Sequence, residues 1–187
     1  MQNPTWDDVL KLRLKLKEAN FEYWLNENLF TFSWWFLLIT MFLFFISWWL
    51  LLEKSRMMEM LLYGFLVATI VILLDVIGVS FILWGYPLML APLVPPIFEI
   101  DIGHLPFVYM TIYQYFSTWK SYVIAMTITA LIFAFVLEPI TIWLDIYEAN
   151  NWRHIYSLPI YVLIGIFCKW FITKIKQVEN KYQKLLK

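Results

Sequence analysis

Residues 30–52 read FTFSWWFLLITMFLFFISWWLLL and carry no charge. An α-helix rises about 1.5 Å per residue, so this stretch reaches across a hydrocarbon core ~30 Å thick. Trp34 and Trp35 stand near one end, Trp48 and Trp49 near the other, as interfacial belts do. The stretch is read as a transmembrane helix, and its neighbours are read in that light.

On its C-terminal side, Glu53, Lys54, Ser55 and Arg56 make a tight turn. A second apolar run follows from Met57 to Trp84, with one deep charge, Asp75, and with Gly64 and Gly78 where a neighbour can pack closely. Between 85 and 106, Pro87, Pro92, Pro95, Pro96 and Pro106 break any long helix. Leu88, Met89, Leu90, Leu93, Val94 and Ile97 keep the same segment apolar, so it is expected to dip into the interface. Irregular backbone at that depth must be shielded by protein or line a wet cavity.

A short third span is expected from Pro106 to Trp119, and a fourth from Tyr122 to Tyr147, which contains Glu138-Pro139. The polar turn Glu148–Arg153 leads to a fifth, starting near Ser157 with Pro159 in its first turn and passing Lys169 into a basic tail.

On the N-terminal side, residues 5–28 read as an amphipathic helix. Thr5 and Asp8 fit a capping box. Val9, Leu12, Leu16, Ala19 and Tyr23 fall on one stripe; Lys11, Lys15, Glu18 and Glu22 form a charged face. The alternation from Leu10 to Leu16 also matches a strand. No cleavable signal is visible.

The expected fold is therefore all-α: a polytopic transmembrane helical bundle of five spans, four in the alternative count, with an N-terminal amphipathic helix. It divides into an interfacial helix over 1–29, the bundle over 30–176 and a basic cytoplasmic tail over 177–187.

The composition agrees. Hydrophobic residues make up 62% of the 187 and charged residues 15%, with mean hydropathy +0.69. Soluble domains are about half apolar and about a quarter charged; here lipid must take the surplus. Formal net charge is zero, and no basic domain suggests nucleic acid. The lone Cys168 excludes an internal disulfide and a cysteine-built zinc site.

Lysine-rich ends stay in the cytoplasm. Five spans then place the C-terminus, Lys54, Arg56 and Lys120 inside and leave Lys11, Arg13, Lys15 and Lys17 outside. Four spans bring the N-terminal helix inside, which the rule favours, but leave the apolar stretch 86–119 in water. The chain is expected to be a multi-pass protein of the cell membrane with a cytoplasmic C-terminus.

Ionisable residues inside a membrane are costly and mark function by default. Asp75 and Glu138 lie at similar distances beyond the starts of spans two and four, roughly 25–27 Å along each helix. The loop before span three adds Glu99, Asp101 and His104, and the turn before span five adds Arg153 and His154. Pairing of Glu138 with Arg153 or His154, and of Asp75 with His104, follows from this layout. A purely structural use is the alternative: a buried acid bonding tyrosine, threonine or a free carbonyl. Glu138, Asp75, His154 and His104 are the candidate acid–base groups. Glu99, Asp101, Arg153, Tyr109 and Tyr113 are candidate ligand contacts, with the aromatics, Tyr115 included, suiting a lipid or isoprenoid.

No His-x-x-His or Glu-x-x-His pair sets two metal ligands on one helical face, and no metal site is assigned. A nucleophile motif, a P-loop and a dinucleotide turn are all missing, and no cofactor is named.

Glu138-Pro139 through Trp143, the run Trp152-Arg153-His154-Ile155-Tyr156-Ser157-Leu158-Pro159-Ile160-Tyr161, and Lys169-Trp170 resemble a family of small multi-spanning membrane proteins of spore-forming Gram-positive bacteria. The family has no assigned activity. The resemblance implies a bacterial plasma membrane and sporulation, and names no catalytic residue.

The function expected is non-enzymatic: a binding or assembly subunit with an outer-leaflet polar pocket. The alternatives are a membrane-embedded enzyme acting on a lipid or isoprenoid, and a small proton- or ion-coupled carrier. The expected partners are the lipid bilayer and a second copy or another membrane protein.

Overall fold

The computed structural model describes residues 3–92 and 99–185. The described residues form seven α-helices, with a single isolated backbone bridge in place of any strand.

Helix α1 spans Trp6–Tyr23, which decides against the strand reading. Its capping box is complete: the Asp8 N–H donates to the Thr5 hydroxyl, and the Thr5 N–H donates to the Asp8 carboxylate at 2.9 Å. None of its residues is buried. A wider π-turn, Trp24–Asn28, and a left-handed Phe30 redirect the chain into α2, Phe32–Leu51, which Thr31 caps.

Helix α3 covers Met57–Ser80, α4 Leu105–Tyr115, α5 Trp119–Ile132, α6 Glu138–Trp143 and α7 His154–Leu185. A π-turn at Phe133–Leu137 joins α5 to α6. Pro139 explains it: a proline lacks the N–H that closes the preceding turn and its ring crowds the carbonyl there, so the ladder widens.

Four segments among the described residues are long and apolar enough to cross a membrane: Phe32–Leu51, Lys54–Ser80, Trp119–Trp143 and His154–Leu185. The protein is a multi-pass membrane protein with an all-α bundle. Leu50, Phe65, Leu73, Ile128 and Leu163 point outward, as lipid-facing side chains do.

The expected third span differs. Its helix is only α4, about 16 Å long, roughly half a hydrocarbon core. Pro106 stands in its first turn, and soon after its end Thr118 caps α5 instead. The second span also ends early, at Ser80, and Trp84 belongs to the return. Span five starts at His154, so Pro159 lies inside the helix and not in its first turn. Helix α7 runs unbroken past 176 to Leu185, about 48 Å in all.

The core lies among α3, α4, α5 and α7. Met60, Tyr63, Val67, Tyr109, Tyr122 and Met126 are fully enclosed. Gly64 lets Met110 pass; a Cβ there would sit 2.5 Å from its sulfur. The buried hydroxyls are spoken for: Tyr63 and Tyr122 share a bond of 2.6 Å, Tyr122 also reaches the Gly165 carbonyl, and Tyr109 donates to the Tyr161 carbonyl. Helix α2 is peripheral, burying only Leu37 and Trp48, the latter stacked on Phe107. Gln114 ties its end to α4 by donating to the Leu51 carbonyl and accepting from the Glu53 N–H.

Part of the proline-rich segment, 93–98, lies outside the described residues. Its described flank is shielded by side chains. Asn28 bonds Pro87 and Met89, and the indoles of Trp24 and Trp34 donate to the Leu90 carbonyl.

Candidate functional site

Helices α3 and α6 end alike. Ile82 and Asp145 both adopt a left-handed conformation, and the residue after each bonds back five positions, Leu83 to the Gly78 carbonyl and Ile146 to that of Thr141. This is the Schellman-type reversal that satisfies carbonyls at a helix end. The two reversals are then locked together. Gly85 and Glu148 exchange both backbone hydrogen bonds at 2.9 Å. Asp75 precedes Ile82 by the same number of residues as Glu138 precedes Asp145, and Gly85 and Glu148 lie equally far beyond. The bridge therefore holds the two carboxylates at one depth, which the sequence had suggested from rise alone.

A cavity of about 290 Å³ opens at that depth, between α2, α3, α6, α7 and the turn Glu99–His104. Its walls are largely apolar, with Leu37, Phe44, Val71, Leu74 and Ile160 among them. Asp75, Asp101, His104 and Glu138 line it together.

Asp75, 4% exposed, accepts hydrogen bonds on Oδ1 from the Trp84 indole at 2.7 Å and from the Tyr86 hydroxyl. Both donors come from the strip that Ile82 turns back. Trp84 fits because residue 78 is glycine; a Cβ there would collide with the indole. The other oxygen, Oδ2, is buried without a partner among the described residues, and so is Oδ2 of Asp101, which is 2% exposed.

Glu138 is fully engaged. Its Oε2 lies 2.5 Å from Nδ1 of His154, and its Oε1 accepts from the Tyr161 hydroxyl at 2.9 Å. His154 opens α7 just beyond the cavity wall. His104 bonds the Glu99 carbonyl through Nδ1 and Thr40 through Nε2. A carbonyl only accepts, so Nδ1 holds a proton.

Two expected pairings thus part ways. Glu138 meets His154, but Asp75 does not meet His104; it takes neutral donors, as the structural alternative had it. Glu99 is buried at the start of its turn and contributes its carbonyl to His104. Arg153 is exposed and outside the cavity. Tyr109 packs beneath it, Tyr113 faces the opposite end of the bundle, and Tyr115 is exposed. No tyrosine of α4 lines the cavity.

No known family model, curated protein or solved structure matches this chain. The site must be read from its own chemistry. Among the described residues, no group of three or more His, Cys, Asp or Glu is arranged to hold a metal ion.

A second cavity, about 320 Å³, lies at the opposite end of the bundle and was not foreseen from the sequence. Glu59 is its centre. It accepts from Arg56 Nε and Nη2, from Lys176 Nζ at 2.7 Å and from the Tyr113 hydroxyl at 2.6 Å. Beside it Lys169, 5% exposed, donates to the carbonyls of Phe116 and Ser117 and sits 4.1 Å over the Tyr122 ring. Those carbonyls follow the end of α4, where a cation suits the helix dipole. The available signal was Lys169 itself, a charge inside an apolar run of a span.

Proposed function

We propose that this protein is a non-enzymatic binding subunit of the membrane that holds an organic ammonium ion, with an apolar body, in the acidic cavity. The observation that carries this reading is the pair of buried, unpartnered carboxylate oxygens, Asp75 Oδ2 and Asp101 Oδ2, in an apolar-walled space. An ionised carboxylate among apolar groups is costly unless a counter-charge or a proton neutralises it. The cavity lining supplies three acids and one histidine. An oxygen lacking a donor favours a cation that carries N–H over a quaternary one. Leu37, Phe44 and Leu74 suit the body.

The acidic end then faces outward. By the positive-inside rule, the end with Lys54, Arg56 and Lys169 is cytoplasmic. In the five-span form of this topology α1 lies on the outer face.

The test uses purified protein in nanodiscs, titrated with octylammonium, octyltrimethylammonium and octanol. Octylammonium is expected to bind best. The Asp75→Asn/Asp101→Asn double variant should lose at least tenfold in affinity, about 1.4 kcal/mol. Equal binding of octanol, or an unchanged affinity in the double variant, would sink the proposal.

One observation favours a second reading, an enzyme acting on a lipid ester. The Glu138–His154 pair orients an imidazole whose Nε2 has no partner among the described residues, as a general base is oriented. Hydrolysis of a lipid ester by the parent and its loss in His154→Gln would favour that reading over simple binding.

A further inference from the structure

The second cavity carries an inference independent of the acidic one. Glu59 is saturated by Arg56, Lys176 and Tyr113. Its single negative charge faces three positive ones, Arg56, Lys169 and Lys176, around the same space. Glu53 reaches Arg56 Nη1 at 3.5 Å from outside the lining, so one positive charge remains in surplus. Lys169 has no carboxylate partner among the described residues. Its buried ammonium is held by two neutral carbonyls and an aromatic ring, which leaves one of its three N–H groups to offer. Gln177 and Asn180 add amides at the mouth.

Uncompensated positive charge, free N–H donors and a cavity sized for a small polar group define an oxyanion site. We infer that this cavity binds a phosphoryl oxyanion, with Lys169 as the buried contact and Arg56 and Lys176 completing the positive field. It differs from a belt of snorkelling lysines because its central ammonium is buried and fixed in place. The phosphate of an anionic lipid headgroup and a free phosphate monoester share this chemistry.

The experiment is a titration read by native mass spectrometry on the full chain. One arm adds phosphatidylglycerol to phosphatidylcholine nanodiscs; the other adds inorganic phosphate or glycerol phosphate to the protein in phosphatidylcholine alone. One phosphatidylglycerol is expected to be retained with at least tenfold preference over phosphatidylcholine. Competition by soluble phosphate marks the site as open to free phosphate esters. Absence of competition, with the lipid preference intact, marks it as a lipid headgroup site. Lys169→Gln should abolish the preference, but it also uncaps α4 and can unfold the chain. Gln177→Glu, at an exposed position on α7, puts a negative charge at the mouth without touching that cap; it should cut the preference at least tenfold at an unchanged melting temperature. No preference for phosphatidylglycerol and no phosphate binding, or a preference that survives Gln177→Glu, overturns the inference. A failure here leaves ammonium binding at the other end untouched, because the two titrations share neither ligand nor residue.

Discussion

The two cavities are similar in volume and opposite in how they treat charge. At the acidic end, Asp75 and Asp101 each leave an oxygen buried and unmatched, and the donors that do arrive at Asp75 are neutral, from Trp84 and Tyr86. At the basic end nearly everything is matched. Glu59 takes four donors, and Lys169 closes the exposed carbonyls after α4. Charges at the basic end hold helices α3, α4 and α7 together. At the acidic end Glu138 fastens α6 to α7 through His154 and Tyr161, while Asp75 and Asp101 each keep an oxygen available. Unmatched buried charge lowers stability and is kept where something else uses it; matched charge is an ordinary fastening that also leaves a surplus field.

The largest test of this contrast is Glu59→Gln. It removes the one anion from among Arg56, Lys169 and Lys176 and weakens four hydrogen bonds. Bonds to a charged group contribute about 1.5–3 kcal/mol where buried, and Glu59 is only mostly buried, so a loss of about 2–3 kcal/mol is expected. It should register as a clear fall in the melting temperature of the detergent-solubilised protein. An unchanged melting temperature would mean the network is not a fastening.

Next comes Asp101→Asn. Here the contrast demands the opposite sign. Burial pushes the Asp101 carboxyl up to about 8. At a pH above that value, a neutral amide in place of the unmatched carboxylate should raise stability, by about 1–2 kcal/mol, because the burial cost of the charge disappears. The same variant should bind octylammonium more weakly. Stability gained together with affinity lost is the signature of a charge kept for binding. If Asp101→Asn destabilises the protein, the acid has a structural partner after all and the two ends are alike.

How much of this was legible in the sequence differs between the ends. The common depth of Asp75 and Glu138 was legible because helical rise is constant, and the nearness of His154 to Glu138 because the turn between α6 and α7 is short. The partners of Asp75 were not. They lie just after it in the chain and meet it only because Ile82 turns left-handed, a conformation that a β-branched residue does not advertise. Tyr113 and Tyr109 look alike in the sequence as aromatics of one short span, yet the Tyr113 hydroxyl reaches Glu59 at the far end while that of Tyr109 stays in the core. The third span is short in the sequence too, but apolar content does not reveal how few of its residues the prolines leave helical. In the sequence, Lys169 stands where a span fades into a basic tail. Its true position, buried against the end of α4, depends on the register between α7 and that half-length helix, and no local pattern encodes it.

The smallest expected effect is the dependence on salt, and it divides the two ends without a mutation. Dissolved ions screen charges over about 8 Å at physiological ionic strength and about 3 Å at 1 M, but act weakly on groups buried away from water. Asp75 and Asp101 are enclosed by apolar walls, so octylammonium affinity should change less than about threefold between 0.05 and 0.5 M sodium chloride. At the basic end, Lys176 is 45% exposed at its side chain and Gln177 lies at the surface, so salt reaches the field directly. Phosphate binding there should weaken severalfold over the same range, and chloride competes for the same donors. Equal salt dependence at both sites would mean that the acidic cavity is as wet as the basic one. The argument from buried, unmatched oxygens would then lose its premise, because water would be their partner.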